Sequence, residues 1–283
     1  VPSNNGHNLF LLNLQNGGFM SKKNVCIIGG GFIGKPLAER LKSLEYHVTV
    51  MMSSEKRREE FISLEISTRI ARVGADAVLT FSDKPEILVL AYPIGARNIE
   101  KNEHLLQVQW IAEAFPVESL EQVILTSSTS VYPDGLGLVD ESCVVRPSDH
   151  GRIQLEYEEA LFEIYGQKLT VFRLAGLVGA NRNPGKFLAG QVNLPNPDSP
   201  VNMVHQTDVV RFIVASILEE VQGEVFNLCH NDHPSRAEYY TKTAQTLGLE
   251  APTFSREQIH QPKLVSNQKA KDFFQMDYLE EIW

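Results

Sequence analysis

The segment Val25-Cys-Ile-Ile-Gly-Gly-Gly-Phe-Ile-Gly34 decides the fold of this chain, because an apolar run leads directly into a glycine-rich turn and then into a helical pattern. The four apolar residues from Val25 to Ile28 are typical of a parallel strand that is buried on both faces. Leu37, Leu41 and Leu44 follow at helical spacing. The segment therefore predicts a strand, a tight turn and a helix in immediate succession.

The three glycines of Gly29-x-Gly31-x-x-Gly34 predict a dinucleotide-binding turn. The first glycine permits the reversal, the second lets backbone N–H groups approach a pyrophosphate, and the third lets the helix pack closely on the sheet. The helix N-terminus adds partial positive charge. A purely structural glycine turn is the alternative, and Pro36 would remove one hydrogen bond from the first helical turn. The cofactor-binding residues predicted from this turn are Gly29, Gly31, Phe32, Ile33 and Gly34.

Composition places the chain among ordinary globular proteins. It has 283 residues, 43% hydrophobic and 22% charged, and a net charge of −9, which disfavours a nucleic-acid partner. Its three cysteines lie far apart and imply no disulfide framework, as expected of a cytoplasmic protein. No apolar run reaches the roughly 18 residues of a membrane helix, so we expect no membrane span.

Apolar periodicity predicts alternating strands and helices along the chain. Strands are predicted at 46–51, 75–79, 86–91, 123–126, 168–174 and 223–227, and helices at 55–66, 99–115, 152–166, 208–219 and 236–247. Such alternation is typical of an α/β fold with a doubly wound parallel sheet. Loop residues become frequent between 176 and 200, which indicates a departure from the sheet into a second, smaller lobe.

Four blocks of sequence, in this order, resemble the extended short-chain dehydrogenase/reductase family, in particular its nucleoside-diphosphate-sugar epimerase-like group. They are Gly31-Phe-Ile-Gly34, Thr126-Ser-Ser-Thr-Ser-Val-Tyr132, Arg173-Leu-Ala-Gly-Leu-Val-Gly179 and Val201-Asn-Met-Val-His-Gln-Thr-Asp208. The resemblance implies a Rossmann domain over 20–175. It also implies a mixed segment over 176–283, with a small C-terminal substrate lobe and elements that return to the sheet. Residues 1–19 contain no Asp, Glu, Lys or Arg and precede Met20-Ser-Lys-Lys23, which is typical of a natural start, so we expect them to be an extension or cloning remnant.

The same resemblance implies an NAD(P) cofactor, a small-molecule substrate for which a sugar nucleotide is one candidate, and a homodimer as one assembly. It adds six residues to the predicted cofactor site: Ala91, Tyr92, Ser127, Leu174, Ala175 and Gly176. The glycine turn is one residue tighter than the usual extended form, which suggests an atypical branch.

The catalytic residues of the family match only in part. Its chemistry uses a tyrosine, a lysine four residues later that lowers the tyrosine pKa, and a serine or threonine that orients the substrate. Ser128 matches the serine, but His150 and Gln154 stand where the tyrosine and lysine would be. His150 could itself transfer the proton, because imidazole titrates near pH 6.5. The alternative is a solvated loop histidine.

The end of the second predicted strand favours NADP over NAD. An acidic residue that would hold the ribose 2′-hydroxyl of NAD is absent at Met52. Ser53, Ser54, Lys56 and Arg57 could instead hold a 2′-phosphate. The alternative is an exposed helix start, in which Glu55 would repel a phosphate.

Arg182, Lys186 and His205 are the predicted substrate-binding residues, the first two because they could lie beside a sugar-nucleotide diphosphate. The cluster Cys229-His-Asn-Asp-His233 could bind zinc, but without a second ligand pair we expect a loop and predict no metal. Three functions follow. The leading one is an NAD(P)-dependent oxidoreductase or epimerase-like protein, the second is a catalytically silent NAD(P)-binding sensor or regulator, and the third is a metal-dependent hydrolase.

Overall fold

The computed structural model describes residues 23–77, 84–94, 102–143, 149–179, 181–259 and 261–283, with the backbone alone for Asp149 and His150. The strands in these ranges are β1 (Asn24–Ile28), β2 (His47–Met52), β3 (Ser67–Ile70), β4 (Ile87–Leu90), β5 (Gln122–Ser128), β6 (Gly137–Val139), β7 (Leu169–Leu174), β8 (Gly176–Val178), β9 (Met203–His205), β10 (Val225–Leu228) and β11 (Lys263–Val265). The α-helices are α1 (Gly34–Ser43), α2 (Arg58–Ile62), α3 (Glu103–Ala114), α4 (Asp149–Tyr165), α5 (Gln206–Leu218), α6 (Arg236–Thr246) and α7 (Gln268–Phe274).

Seven of these strands form one parallel sheet in the order β10, β7, β5, β4, β1, β2, β3. Strand β1 is buried on both faces, as its continuous apolar sequence predicts. Val25 and Ile27 pack in one core cluster with α1, α5 and α7, whereas Cys26 and Ile28 pack in another with α3 and α4. The predicted α/β fold with a doubly wound parallel sheet is confirmed.

The third strand was predicted in the wrong place. Residues 75–77 form a turn and a bend rather than the start of a strand over 75–79, and 78–79 lie outside the described residues. The third strand is instead β3, which pairs with β2 at the edge of the sheet. Its four residues are mostly exposed, so they lack the apolar run by which buried strands are recognised.

Two predicted helices have different bounds in the structure. The helix expected over 55–66 is a single 3₁₀ turn at Glu55–Arg57 followed by the short helix α2. Glu65 adopts a left-handed backbone conformation at φ +52°, after which the chain enters β3. The helix expected over 99–115 is α3, and residues 95–101 lie outside the described ranges.

Pro36 lies in the first turn of α1, where its missing N–H leaves the Phe32 carbonyl without the usual helical donor. The side-chain amide of Gln206 donates a hydrogen bond to that carbonyl. Gln206 is the first residue of α5, so this contact joins the N-terminal turn of α5 to the glycine turn. The expected loss of one hydrogen bond is thus compensated from a residue distant in sequence.

The smaller lobe contains the predicted helix α6 and short strands that periodicity did not predict. Strand β8 follows β7 directly and pairs with β9, and β6 pairs with β11. The chain returns to the large sheet through β10, so residues 176–283 contribute to both parts. A domain boundary after 175 remains a proposal. Among the described helices, none combines the length and the apolar character needed to cross a membrane.

Candidate functional site

A cavity of about 1610 Å³ opens at the carboxyl ends of the parallel strands. Its walls include the strand ends at Ile28, Ala91, Thr126 and Leu174, which is the edge where open α/β sheets bind ligands. Individual small-molecule pockets commonly measure about 300–1000 Å³. The volume of this cavity exceeds that range and is sufficient for a cofactor and a substrate together.

The glycine turn borders this cavity, and a side chain at each of its three glycines would meet different surroundings. Gly29 has φ +108°, and a Cβ there would lie 2.5 Å from the Ala91 carbonyl oxygen. A Cβ at Gly34 would overlap the Gly29 carbonyl oxygen, so helix and turn touch at that point. A Cβ at Gly31 would meet only Arg57, at 3.7 Å from its Nη1 atom. Gly31 therefore leaves open space on the cavity side, where a ligand can approach the backbone.

Arg57 lies in the cavity beside the glycine turn. Its Nη1 donates a long hydrogen bond of 3.4 Å to the Gly30 carbonyl, and Ser53 and Ser54 line the same part of the cavity. Glu55, which could repel a phosphate, instead pairs with Arg58 at 2.9 Å. The end of β2 thus presents two hydroxyl groups and one cation to the cavity.

Ser127 is held by a buried network of charged and polar side chains. Its Oγ donates to Oε1 of Glu158 at 2.5 Å, and Nη2 of Arg173 lies 2.7 Å from Oε2 of the same carboxylate. Nη1 of Arg173 donates to the Tyr132 hydroxyl at 2.8 Å, and that hydroxyl donates to Asn227 at 2.9 Å. The hydroxyl proton of Ser127 is thereby committed to the carboxylate, so towards the cavity this oxygen can act only as an acceptor.

Ser128 faces the same cavity with the opposite hydrogen-bonding capacity. Its Oγ accepts from the Ser130 backbone N–H at 3.1 Å, and its own O–H has no acceptor among the described residues. Within the described part of the chain, nothing competes with a ligand for the hydroxyl proton of Ser128. Residues 127 and 128, which both line the cavity, thus offer it one acceptor and one donor.

Helix α4 begins against the serine turn. A Cβ at Gly151 would overlap the Ser130 carbonyl oxygen, so the backbone of the first helical turn touches that loop. His150 belongs to this turn, but its side chain lies outside the described part of the structure. Gln154 lines the cavity, and its Nε2 donates to the Ile94 carbonyl at 3.0 Å. Its Oε1 is buried and finds no donor within the described residues.

A pair of tyrosines flanks the serine side of the cavity. Tyr92, which lines the cavity, shares a hydrogen bond between hydroxyls with the buried Tyr157. Burial raises the pKa of both tyrosines. Since an unperturbed tyrosine already titrates near 10, neither hydroxyl is a base near neutral pH.

The structure separates the three predicted substrate residues. Arg182 lines the cavity, whereas Lys186 is exposed and lies outside the cavity lining. His205 also lies outside the lining, because its Nδ1 accepts the Thr207 backbone N–H at 3.2 Å and so caps α5. His205 is therefore the N-cap residue of α5.

Three further cavity residues were not predicted from the sequence: Arg236, Tyr240 and Lys263. The guanidinium of Arg236 lies 5.8 Å from the centre of the Tyr240 ring, and its buried Nε has no partner in the described ranges. Lys263 donates to the Tyr132 carbonyl at 2.7 Å. No sequence motif surrounds these residues. The only signal in the sequence is that two of them are basic and one is aromatic. Arg236 adds a positive charge to the lobe side of the cavity, whereas the ammonium of Lys263 is paired with Asp134 at 3.3 Å.

The other predicted cofactor residues, Ala91, Ala175, Gly176, Phe32 and Ile33, all line the cavity. Residues 229–233 form the predicted loop. Across the described ranges, no group of three or more histidine, cysteine or acidic residues is placed to hold a metal ion. Cys229 is buried, and burial raises its thiol pKa to about 12.

Comparisons with known proteins agree with this architecture. A model of the NAD dependent epimerase/dehydratase family matches residues 25–229. Protein YeeZ of Escherichia coli K12 is 32% identical over 238 residues, which cover 82% of this chain and 86% of YeeZ.

Among solved structures, a conserved protein of unknown function from Silicibacter pomeroyi has a TM-score of 0.74 at 20% identity, covering 90% of this chain and 93% of its own. UDP-glucuronic acid 4-epimerase from Bacillus cereus, in complex with NAD, has a TM-score of 0.74 at 18% identity, with coverages of 92% and 94%. UDP-glucose 4-epimerase from Thermotoga maritima, with UDP-glucose, has a TM-score of 0.73 at 16% identity, with the same coverages. At these identities the solved structures show a shared fold.

Proposed function

The chain belongs to the NAD dependent epimerase/dehydratase family, and from that premise we propose that it binds NADP(H) at the glycine turn and carries out an oxidoreductase or epimerase-like reaction on a small anionic substrate. One observation carries the proposal. Gly29 and Gly34 are closed in by their own chain, whereas Gly31 faces a large cavity at the carboxyl ends of the strands. That combination suits a pyrophosphate that approaches the backbone at Gly31.

The preference for NADP rests on the end of β2. Arg57, Ser53 and Ser54 line the cavity, and Met52 supplies no carboxylate for a free ribose 2′-hydroxyl. A guanidinium and two hydroxyls are suitable partners for a 2′-phosphate. The pairing of Glu55 with Arg58 supports this assignment, because it reduces the repulsion that Glu55 would exert on a phosphate.

The bound nicotinamide would accept or supply a hydride. Ser128 is proposed to donate its free hydroxyl proton to a substrate oxygen, while Ser127 accepts a hydrogen bond from the substrate. His150 is proposed to exchange the substrate proton, since it takes the position of the family's tyrosine and its imidazole needs no lysine to lower its pKa. Gln154, in place of the lysine, would hold a ligand hydroxyl through its unpartnered Oε1.

The substrate is proposed to carry an anionic group. Arg236 supplies a cation on the lobe side of the cavity, Lys263, which is paired with Asp134 at 3.3 Å, supplies a further N–H donor, and the Tyr240 ring adds an aromatic surface there. A nucleotide sugar combines phosphates with a flat base and matches both features. The UDP-sugar epimerases named above share the fold and motivate this narrower choice.

A dinucleotide-binding sensor without catalysis is the second candidate. The observation that favours it is Gln154, whose amide does not ionise and is anchored to the Ile94 carbonyl. Such a protein would bind NADPH tightly and transfer no hydride. Substitution of Ser128 by alanine separates the two functions: an enzyme would lose turnover on a UDP-sugar, whereas a sensor would show no turnover before or after the substitution.

The experiment that tests the cofactor preference is calorimetric titration with NADPH and NADH. The wild type should bind NADPH at least about tenfold more tightly, since tenfold corresponds to about 1.4 kcal/mol, slightly less than the roughly 1.5–3 kcal/mol of one hydrogen bond to a charged group. Arg57→Ala should remove the difference. Lys56→Ala is the matched control, because Lys56 is adjacent to Arg57 in sequence, is exposed and lies outside the cavity lining. Equal affinities in the wild type would contradict the preference.

A further inference from the structure

Arg182 reaches the glycine turn, although it belongs to the segment that follows β8. Its guanidinium carbon lies 5.8 Å from the centre of the Phe32 ring and 5.9 Å from that of Phe187. Phe32 immediately follows Gly31, the glycine that faces open space. Arg182 therefore lies next to the backbone at which a pyrophosphate would bind.

The guanidinium of Arg182 is available to an anion. It forms no ion pair with a carboxylate of the described ranges, and it lines the cavity. Aromatic rings attract the guanidinium through its face and leave its N–H groups free at the edge. These N–H donors match the paired oxygens of a phosphate.

Gly179 and Gly185, on either side of Arg182 in sequence, pack closely against the smaller lobe. Gly179 has φ +120°, and a Cβ there would lie 2.5 Å from Nε2 of His205. A Cβ at Gly185 would overlap the Thr243 carbonyl oxygen in α6. Between them, the Asn183 side chain accepts the Gly185 backbone N–H at 2.9 Å. The segment is thus closely packed at both ends, which lowers the entropy cost of holding Arg182 over the turn.

We propose that Arg182 binds the pyrophosphate of the dinucleotide from the opposite side of the cleft, rather than the substrate. This inference rests on the proposed function, because it assigns a residue to the same cofactor. Two cations then act on different phosphates: Arg57 on the 2′-phosphate and Arg182 on the pyrophosphate. Since NAD(H) and NADP(H) share the pyrophosphate, Arg182 contributes equally to the binding of both.

The test is calorimetric titration of Arg182→Ala with NADPH and with NADH, without substrate. Both affinities should fall by about tenfold, as expected for a lost charge-assisted contact. Lys186→Ala is the matched control, since it removes a cation from the same segment outside the cavity lining, and it should leave both affinities unchanged. Arg57→Ala should weaken NADPH alone. Arg182→Gln removes the charge but keeps a long side chain, so it should show the same loss of affinity for both dinucleotides. It provides the test if the alanine variant fails to fold.

The possible outcomes distinguish a failure of the role of Arg182 from a failure of the proposed function. If the wild type binds NADPH and Arg182→Ala binds it equally well, the role of Arg182 is wrong while the proposed function stands. A loss confined to NADPH also overturns the inference, because it places Arg182 on the 2′-phosphate. If the wild type binds neither dinucleotide, the proposed function fails and the role of Arg182 fails with it.

Discussion

At the scale of single residues, Gly31 and Gly34 lack side chains for different physical reasons. The position of Gly34 is closed by the Gly29 carbonyl, whereas Gly31 has only the flexible end of Arg57 nearby. Packing therefore excludes a side chain at Gly34, whereas the ligand-free protein has room for one at Gly31. The spacing of the glycines in the sequence identified both residues, but only the structure shows what surrounds each of them.

Alanine substitutions should separate these two reasons. Gly34→Ala should lower the free energy of unfolding by about 1–3 kcal/mol or more, because the added methyl overlaps backbone that cannot move aside easily. Gly31→Ala should leave the free energy of unfolding of the ligand-free protein nearly unchanged. Urea denaturation of both variants and the wild type measures this difference. Equal destabilisation by the two substitutions would contradict the assignment.

At the scale of elements, the pair Glu158–Arg173 joins helix α4 to strand β7. The side chains are only 7% and 8% exposed, and the pair also fixes the Ser127 hydroxyl at the end of β5. Removing one partner from a buried ion pair leaves an uncompensated charge, which typically costs about 3–5 kcal/mol. The alignment of α4 with the serine turn therefore depends on this contact.

Glu158→Gln should accordingly lower the free energy of unfolding by about 3–5 kcal/mol, measured by urea denaturation. Glu159→Gln is the matched control, since this residue is adjacent in α4 and exposed, and its substitution should change the free energy of unfolding by less than about 0.5 kcal/mol. If Glu158→Gln costs no more than its neighbour, the pair does not hold the helix to the sheet.

Sequence periodicity predicted the buried elements better than the exposed ones. Strands β1, β4, β5 and β7 lie where apolar runs indicated, because burial on both faces demands such runs. The edge strand β3 was missed, since its exposed Ser-Thr-Arg-Ile sequence carries no such signal. The three-residue strands of the smaller lobe are too short for periodicity to reveal them.

At the scale of the whole molecule, the cavity joins residues that are far apart in the chain. The glycine turn and the serine block were predicted because their local sequences are distinctive. Lys263 and Arg236 could not be predicted, since their place in the cavity depends on the packing of β11 and α6 against earlier segments. Arg182 was predicted to bind substrate, yet its position beside Phe32 now assigns it, as a proposal, to the cofactor.

Thermal and chemical unfolding of the wild type with and without NADPH is the most direct test of the central claim, which is that the cavity at Gly31 binds a dinucleotide. At roughly 100 times its Kd, a ligand that binds only the folded state stabilises it by about 2.7 kcal/mol. NADPH should raise the unfolding temperature of the wild type and should have a much smaller effect on Gly31→Ala at the same concentration. Absence of stabilisation by NADPH, NADP⁺, NADH and NAD⁺ alike, or an equal shift in Gly31→Ala, would contradict the claim.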